Sequence, residues 1–199
     1  MVLELKNVSH TFGKTKILDN FSLDVAENEF ISIVGKSGCG KTTMLNLIAK
    51  ILKKQSGEIN INGAVGYMLQ HDTLFEWRNV RDNILLGLEI KNRKTKENIE
   101  YALLLANKYG LTQYFKSYPH ELSGGLRQRV ALVRTLALKP KLLLLDEPFS
   151  HLDYELRLEI SNDVLSIVRE LGLSAIMVTH DIREVERMSD RVIRIGGAT

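Results

Sequence analysis

The segment from Gly35 to Thr42 constrains the fold of this chain more than any other feature of its sequence. It reads Gly-Lys-Ser-Gly-Cys-Gly-Lys-Thr and matches the pattern G-x-x-x-x-G-K-[ST] without a gap. The apolar run 30–34 before it predicts a buried strand, and the run 43–49 after it predicts a helix. Because this pattern cradles phosphates when it joins a strand to a helix, we predict a P-loop; the alternative is a glycine-rich turn opening an ordinary helix.

The predicted P-loop supplies a set of candidate phosphate ligands. We expect Lys41 to reach the β- and γ-phosphates of a nucleotide and the Thr42 hydroxyl to ligate Mg²⁺. Cys39 is interpreted as part of the loop wall and not as a nucleophile, because no His is near it in the sequence. The full set of predicted loop contacts is Gly35, Lys36, Ser37, Gly38, Cys39, Gly40, Lys41, Thr42 and Thr43.

A second pattern is the apolar run 142–145 followed by Asp146 and Glu147. A short run of this kind suits a strand buried on both faces of a parallel sheet. Carboxylates at its C-terminal end lie where open α/β sheets bind ligands. We therefore expect Asp146 to support Mg²⁺ and Glu147 to polarise the attacking water. The alternative is an ordinary strand with an acidic turn, which the nearby P-loop makes less favoured.

The third pattern is Ser123-Gly124-Gly125 at the start of a predicted helix. Ser123 is well placed to cap that helix, and the two glycines leave its N-terminal N–H groups open. Such a helix end is a second phosphate-binding surface. One fold does not easily aim both this helix and the P-loop at the same phosphate, whereas two copies facing head to tail do. The alternative is a loop and helix cap without a ligand.

Composition excludes several classes of protein. The 199 residues, 44% of them hydrophobic, suffice for one domain with its own core. The single Cys excludes an intramolecular disulfide and fits a reducing cytoplasm. Apolar runs are too short to span a bilayer, the N-terminus lacks the features of a signal peptide, and the His residues lack metal-ligand spacing. A net charge of +3 is too weak to indicate nucleic acid, so no nucleic-acid partner is predicted.

The order of patterns along the chain predicts an α/β fold. Residues 2–25 alternate like antiparallel strands with a turn at 13–14, and a turn at 55–57 precedes a strand at 58–63. Helices are predicted at 80–90, 95–109, 124–138, 155–171 and 182–188, and strands at 142–145, 174–179 and 191–195. A parallel α/β core interrupted by a helical insert is the simplest account.

These motifs together resemble the ATP-binding subunit of an ABC transporter over essentially the whole chain. The P-loop resembles the Walker A motif, 142–147 the Walker B motif, and 122–125 the signature LSGGQ, with Leu126 in place of Gln. Residues 150–153 resemble the D-loop, Gln70 the Q-loop Gln and His180 the H-loop His, and Phe12 sits where an aromatic ring stacks on adenine.

The resemblance implies a P-loop NTPase core with a RecA-like mixed sheet, antiparallel N-terminal strands and an inserted helical subdomain. One ABC ATPase domain, 1–199, would comprise a nucleotide-binding core at 1–70 and 140–199 and a helical subdomain at 71–139. It also implies the site residues. These are Glu147, His180, Gln70 and Lys41 for catalysis; Thr42, Gln70 and Asp146 for Mg²⁺; and Phe12, Ser123, Gly124, Gly125 and Asp153, beside the P-loop, for ATP.

The same resemblance implies partners and a location. An ATP-dependent homodimer would power import of a small solute through integral-membrane permease subunits, with a solute-binding protein acting indirectly. The chain would be cytoplasmic and peripheral on the inner face of the cell membrane. The alternative is a soluble ABC-type ATPase acting on ribosomes or DNA, although the second cassette and the long coiled coil of those types are missing. A P-loop kinase or GTPase leaves 122–125 and His180 unexplained.

The segment 66–77 is similar to that of bacterial importers in the nitrate, sulfonate and taurine group, with Glu76 where Pro is usual. Phe75 and Trp77 have two open interpretations. They pack in the core, or they border a groove for a short helix of the membrane partner.

Overall fold

A computed structural model describes residues 1–195; residues 196–199, and with them the end of the predicted domain 1–199, lie outside the described residues. The strands are β1 (Leu3–Phe12), β2 (Thr15–Val25), β3 (Phe30–Val34), β4 (Ser56–Ile61), β5 (Val65–Met68), β6 (Leu142–Asp146), β7 (Ser174–Val178) and β8 (Arg191–Arg194). The helices are α1 (Lys41–Ile48), α2 (Val80–Ile90), α3 (Lys96–Lys108), α4 (Gly124–Leu136), α5 (Tyr154–Glu170) and α6 (Ile182–Met188).

The strands form two sheets within the described residues. An antiparallel sheet has the order β2-β1-β4, and a five-stranded parallel sheet has the order β5-β6-β7-β3-β8. The predicted α/β P-loop fold with antiparallel N-terminal strands is confirmed. The parallel core predicted from the residue patterns is a five-stranded parallel sheet, and the mixed sheet implied by the resemblance is instead two separate sheets.

Helix and strand bounds follow the predicted patterns with one clear difference. Helices α2 and α6 have the predicted bounds, and the other predicted helices are shorter or shifted by one or two residues at their ends. The predicted turn at 55–57 is wrong, because Ser56 and Gly57 already belong to β4. The pairing of Ser56 with Ser9 in β1 extends the ladder through the residues that carry the turn signal.

The parallel sheet is covered on both faces, which explains the unbroken apolar run in β6. All five residues of β6 are buried. Leu142 and Leu144 belong to the apolar cluster that contains α1 and the antiparallel strands. Leu143 and Leu145 belong to the cluster that contains α2, α3, α4 and α5. The alternation places opposite faces of one strand in two cores.

The helical stretch 71–139 holds α2, α3 and α4, and its apolar side chains share a cluster with the strands of the parallel sheet. The bounds of the predicted subdomain therefore stay a prediction. Of the helices in residues 1–195, none combines the length and apolar character that crossing a bilayer requires.

Candidate functional site: a nucleotide cleft

The P-loop lies between the end of β3 and the start of α1. Gly40, the residue before α1, has a φ of 100°, a conformation that glycine adopts at little cost. A Cβ atom there would come within 2.5 Å of Cγ2 of Ile17, so the close approach of β2 also requires glycine. No side chain caps the first turn of α1. Its N–H groups are therefore available to an anion, and the helix dipole favours negative charge there.

Lys41 is folded into this loop. Its ammonium donates hydrogen bonds to the carbonyl oxygens of Gly35, at 2.9 Å, and Lys36, at 3.1 Å. The residue is only 7% exposed. The positive charge is thus held inside the curve of the loop, where phosphate oxygens are stronger acceptors than the two carbonyls.

Asp146 stands at the end of β6 beside α1. Its Oδ1 accepts a hydrogen bond from the Thr42 hydroxyl at 3.1 Å, and its Oδ2 lies 3.2 Å from the Tyr67 hydroxyl. Burial raises the pKa of Asp146, and the two hydroxyl groups act against that rise. Burial and the adjacent Asp146 carboxylate raise the pKa of Tyr67, which keeps its phenol protonated and able to donate. Sequence reasoning missed Tyr67 as a site residue.

Thr42 and Asp146 together fit the donor chemistry of Mg²⁺, which takes oxygen ligands. The described residues contain no cluster of three or more His, Cys, Asp or Glu side chains that could hold a metal by themselves. That is the pattern expected when one or two protein oxygens and substrate phosphates share the ion.

Glu147 has a strained backbone. Its φ is 45°, a region that non-glycine residues seldom adopt and that concentrates at functional sites. The conformation is held on both sides: its N–H donates to the Val178 carbonyl at 2.9 Å, and its own carbonyl accepts from the Ser150 hydroxyl at 3.0 Å. This geometry turns the chain sharply at the end of β6.

His180 faces Glu147 from the end of the neighbouring strand β7. Its Nδ1 lies 3.3 Å from Oε2 of Glu147, and its side chain is 67% exposed. His180 does not cap the helix that follows it. Helix α6 is capped by Asp181, whose side chain accepts from the N–H of Arg183 at 2.9 Å.

The P-loop and Glu147 border one open cleft of about 390 Å³, whereas Asp146 and His180 are not among the residues that line it. Phe12 is 51% exposed at its edge and meets His10 edge to face, with ring centroids 4.9 Å apart, so it is not a core ring. Gln70, two residues beyond the end of β5, also lines the cleft. The lining residues are Phe12, Ile17, Ser37, Gly38, Gly40, Lys41, Thr42, Thr43, Gln70 and Glu147.

The signature residues Ser123, Gly124 and Gly125 lie outside the cleft. The Ser123 side chain accepts from the N–H of Leu126 at 3.4 Å, which confirms the predicted cap of α4. Ser123 and Gly124 are exposed, whereas Gly125 is buried against α5, where a Cβ atom would come within 2.7 Å of Leu156. Among the described residues of one chain, none of the three lines the cleft.

Asp153, the predicted D-loop ligand, caps α5. Its Oδ1 accepts from the N–H of Leu156 at 3.0 Å, and the residue is exposed. The cap accounts for the presence of a carboxylate at this position, and a contact to nucleotide stays a prediction.

Two arginines of α4 were missed by sequence reasoning. The Arg127 guanidinium pairs with Asp72 and Glu76, each at 2.7 Å. Arg134 donates to the carbonyl oxygens of Asp72 and Thr73. Glu76 thus joins the segment after Gln70 to helix α4. Arginine spacing along a helix does not reveal such partners.

Phe75 and Trp77 flank Glu76, and they are half-buried and exposed, respectively. Phe75 and Trp77 stack with centroids 4.7 Å apart, and Trp77 is 74% exposed. Core packing therefore does not account for Trp77. A second stack, with centroids also 4.7 Å apart, joins His71, next to Gln70, to His151 of the predicted D-loop.

A parallel sheet with a P-loop, a strand-end carboxylate pair and a separate open helix end defines an α/β nucleotide-binding ATPase. Residues 18–150 match the protein family described as "ABC transporter". The chain belongs to this family, as an ATP-binding and ATP-hydrolysing domain.

Individual relatives agree. The uncharacterized ABC transporter ATP-binding protein YtlC of Bacillus subtilis is 44% identical, with 96% of this chain and 78% of that protein covered. The sulfate/thiosulfate import ATP-binding protein CysA of Photorhabdus laumondii is 36% identical, and the match covers 97% of this chain but 58% of CysA. None of these names tests the predicted likeness to the nitrate, sulfonate and taurine group.

A solved structure gives the same fold. The dimeric post-hydrolysis state of the ATP-binding cassette MJ0796, bound to ADP and Pi, superposes with a TM-score of 0.81 at 30% identity. The match covers 97% of this chain and 94% of that one.

Proposed function

We propose that this chain binds ATP with Mg²⁺ in the cleft of the P-loop and hydrolyses it to power import of a small solute through separate membrane subunits. The observation that carries the proposal is the position of Glu147. It lines the P-loop cleft, its backbone is strained, and His180 stands 3.3 Å from its carboxylate.

The binding part of the proposal rests on the loop and its edge. The N–H groups of the P-loop and of the first turn of α1 receive the phosphates, and Lys41 exchanges its two carbonyl partners for phosphate oxygens. Phe12 offers its exposed ring to the adenine. Thr42, Asp146 and Gln70 are the residues that would hold Mg²⁺, which supplies neutralisation of charge on the phosphates.

The hydrolytic part rests on two side chains. Glu147 accepts a proton from the attacking water, and the held backbone conformation fixes the direction of its carboxylate. His180, whose Nδ1 lies 3.3 Å from Oε2 of Glu147, helps to hold that carboxylate and the water in line. Water activation therefore needs both the loop after β6 and the loop after β7.

Assembly completes the site. Ser123 and Gly124, followed by the buried Gly125, form a helix start outside the cleft of their own chain, so a second copy is needed to bring such a helix start to the bound phosphates. The relative MJ0796 is described as dimeric. We propose an ATP-dependent homodimer in which Asp153 also approaches the partner's nucleotide.

Two observations support permease subunits in a membrane as partners: the description of a relative and one exposed aromatic surface. CysA is described as an import protein, which favours transport over action on ribosomes or DNA. The exposed Trp77, stacked on Phe75, is the proposed contact with a permease subunit. Such a complex would place the chain on the inner face of the cell membrane, with a solute-binding protein acting from the other side.

The test uses Glu147→Gln. Loss of a general base lowers the rate by about 10²- to 10⁴-fold, so the variant should bind ATP but hydrolyse little of it. With ATP it should remain a dimer in light scattering, and adding Ser123→Arg should abolish the dimer while P-loop binding persists. Near-normal hydrolysis by Glu147→Gln in the full assembly would contradict its role. Equal dimerisation by the double variant would contradict the two-site homodimer.

A further inference from the structure

Tyr67 contacts the proposed metal site, although it was not predicted from the sequence as a site residue. It lies on β5, which pairs in parallel with β6, and its hydroxyl is 3.2 Å from Oδ2 of Asp146. The same hydroxyl is 3.2 Å from Oδ1 of Asn46 on α1. Three elements, β5, β6 and α1, thus meet at one phenol oxygen.

The direction of hydrogen bonding follows from the count of protons. A phenol has one hydrogen, and the carboxylate of Asp146 is the stronger acceptor, so Tyr67 donates to Asp146. Asn46 Oδ1 is a second acceptor within reach of the same hydrogen, and as a neutral amide oxygen it is the weaker of the two. The hydrogen bond from Tyr67 to Asp146 is therefore the favoured one.

Asp146 has one hydroxyl donor on each oxygen, Thr42 on Oδ1 and Tyr67 on Oδ2. The Thr42 hydroxyl is also a proposed ligand of Mg²⁺, so its orientation has to satisfy both Asp146 and the ion. Tyr67 is not a proposed ligand of the ion. Its bond to Oδ2 of Asp146 therefore does not compete with metal coordination and helps to set the plane of the carboxylate.

We propose that Tyr67 is a positioning residue that orients the Asp146 carboxylate for Mg²⁺. This inference rests on the proposed function, since it requires that Asp146 supports the ion. Groups that orient a metal-binding side chain typically change metal affinity by about 10- to 100-fold when removed.

The ring of Tyr67 also packs against the apolar cluster around α1, so the test must separate positioning from packing. Tyr67→Phe keeps the ring and removes only the hydroxyl. Tyr101→Phe is the matched control, because Tyr101 is a partly buried tyrosine that packs in the other cluster, on α3. Thermal unfolding of each variant without nucleotide reports any general loss of packing.

The measurement is binding of a non-hydrolysable fluorescent ATP analogue to the full chain, titrated with Mg²⁺ and repeated in EDTA. Binding of Mn²⁺ in the presence of the analogue, followed by electron paramagnetic resonance, gives a second readout. For Tyr67→Phe we expect the Mg²⁺ and Mn²⁺ midpoints to rise about tenfold. Nucleotide affinity in EDTA should stay within about twofold of the parent, and Tyr101→Phe should match the parent throughout.

Three results would overturn the inference. One is an unchanged Mg²⁺ midpoint for Tyr67→Phe. Another is an equal loss of affinity with and without Mg²⁺, since the hydroxyl would then shape the P-loop and not the metal site. A parent protein that binds the analogue with no dependence on Mg²⁺ would reject the proposed metal site itself and this inference with it, while leaving the P-loop assignment intact.

Discussion

Replacing Ser123 by Ala separates two roles of one hydroxyl, the helix cap and the proposed contact with a partner's nucleotide. The cap hydrogen bond to Leu126 is long, at 3.4 Å. Losing it should lower the free energy of unfolding by about 0.5–1 kcal/mol, the lower part of the range for N-caps. For a domain of this size that corresponds to a melting temperature lower by about 1–4 °C.

Losing the proposed contact between Ser123 and the partner's nucleotide should cost more free energy than losing the helix cap. A hydrogen bond to a charged group contributes about 1.5–3 kcal/mol. A two-fold homodimer contains the contact twice, so Ser123→Ala should weaken the ATP-bound dimer by about 3–6 kcal/mol, or about 10²- to 10⁴-fold in its Kd. The assay is light scattering of the Glu147→Gln protein with ATP and Mg²⁺, with and without the second change.

Thr95→Ala is the matched control, because Thr95 caps the exposed start of α3 with a hydrogen bond of 3.2 Å to the N–H of Asn98. It should lower the melting temperature by a similar amount and leave the dimer intact. The reasoning is refuted if Ser123→Ala dimerises like the parent. It is also refuted if the two variants lose the dimer equally, since the loss would then follow stability.

Three further results are expected. His180→Ala should lower ATP hydrolysis at least tenfold yet shift stability by no more than about 0.5 kcal/mol, because the side chain is 67% exposed; a large drop in melting temperature with normal turnover would contradict this. Phe12→Ala should weaken ATP binding about fivefold, as loss of one stacking contact does, and a stability loss with unchanged affinity would indicate a packing role instead. Asp181→Asn retains a helix cap but loses the ion pair with Arg157 at 3.0 Å, so it should unfold more easily at pH 7. The Arg183 guanidinium, more than Arg157, lowers the pKa of Asp181 from 3.8 to about 2. The greater stability of the parent is therefore complete above about pH 4 and declines towards pH 2. A difference in unfolding free energy that does not change with pH would refute the charge explanation.

Local patterns predicted most of the fold and the position of the main site. The P-loop, the carboxylates after β6 and the cap at Ser123 are all recognisable within eight or fewer consecutive residues, and each is where the sequence places it. Strand periodicity also predicted the antiparallel N-terminal pair. These features depend on neighbours along the chain, which a sequence displays directly.

Contacts between distant segments were not predictable in the same way. The bond from Tyr67 to Asp146 depends on the register of β5 beside β6, and its link to Asn46 depends on how α1 packs below them. The pairing of Ser56 with Ser9 likewise overrides a local turn signal, because the long strand β1 offers further partners. Hydropathy patterns specify which face is buried but not which residues meet across it.

The two arginines of α4 couple the local stability of a surface segment to the stability of a helix that packs in the core. Arg127 and Arg134 hold residues 72–76 through ion pairs and backbone carbonyls, while α4 contributes Val130, Leu132 and Val133 to the buried cluster. Local opening of 72–76 must break these bonds, so its free energy is coupled to that of the helix. The amide hydrogens of residues 72–76 should exchange with solvent in the same cooperative step as those of α4, and far more slowly than their exposure alone predicts.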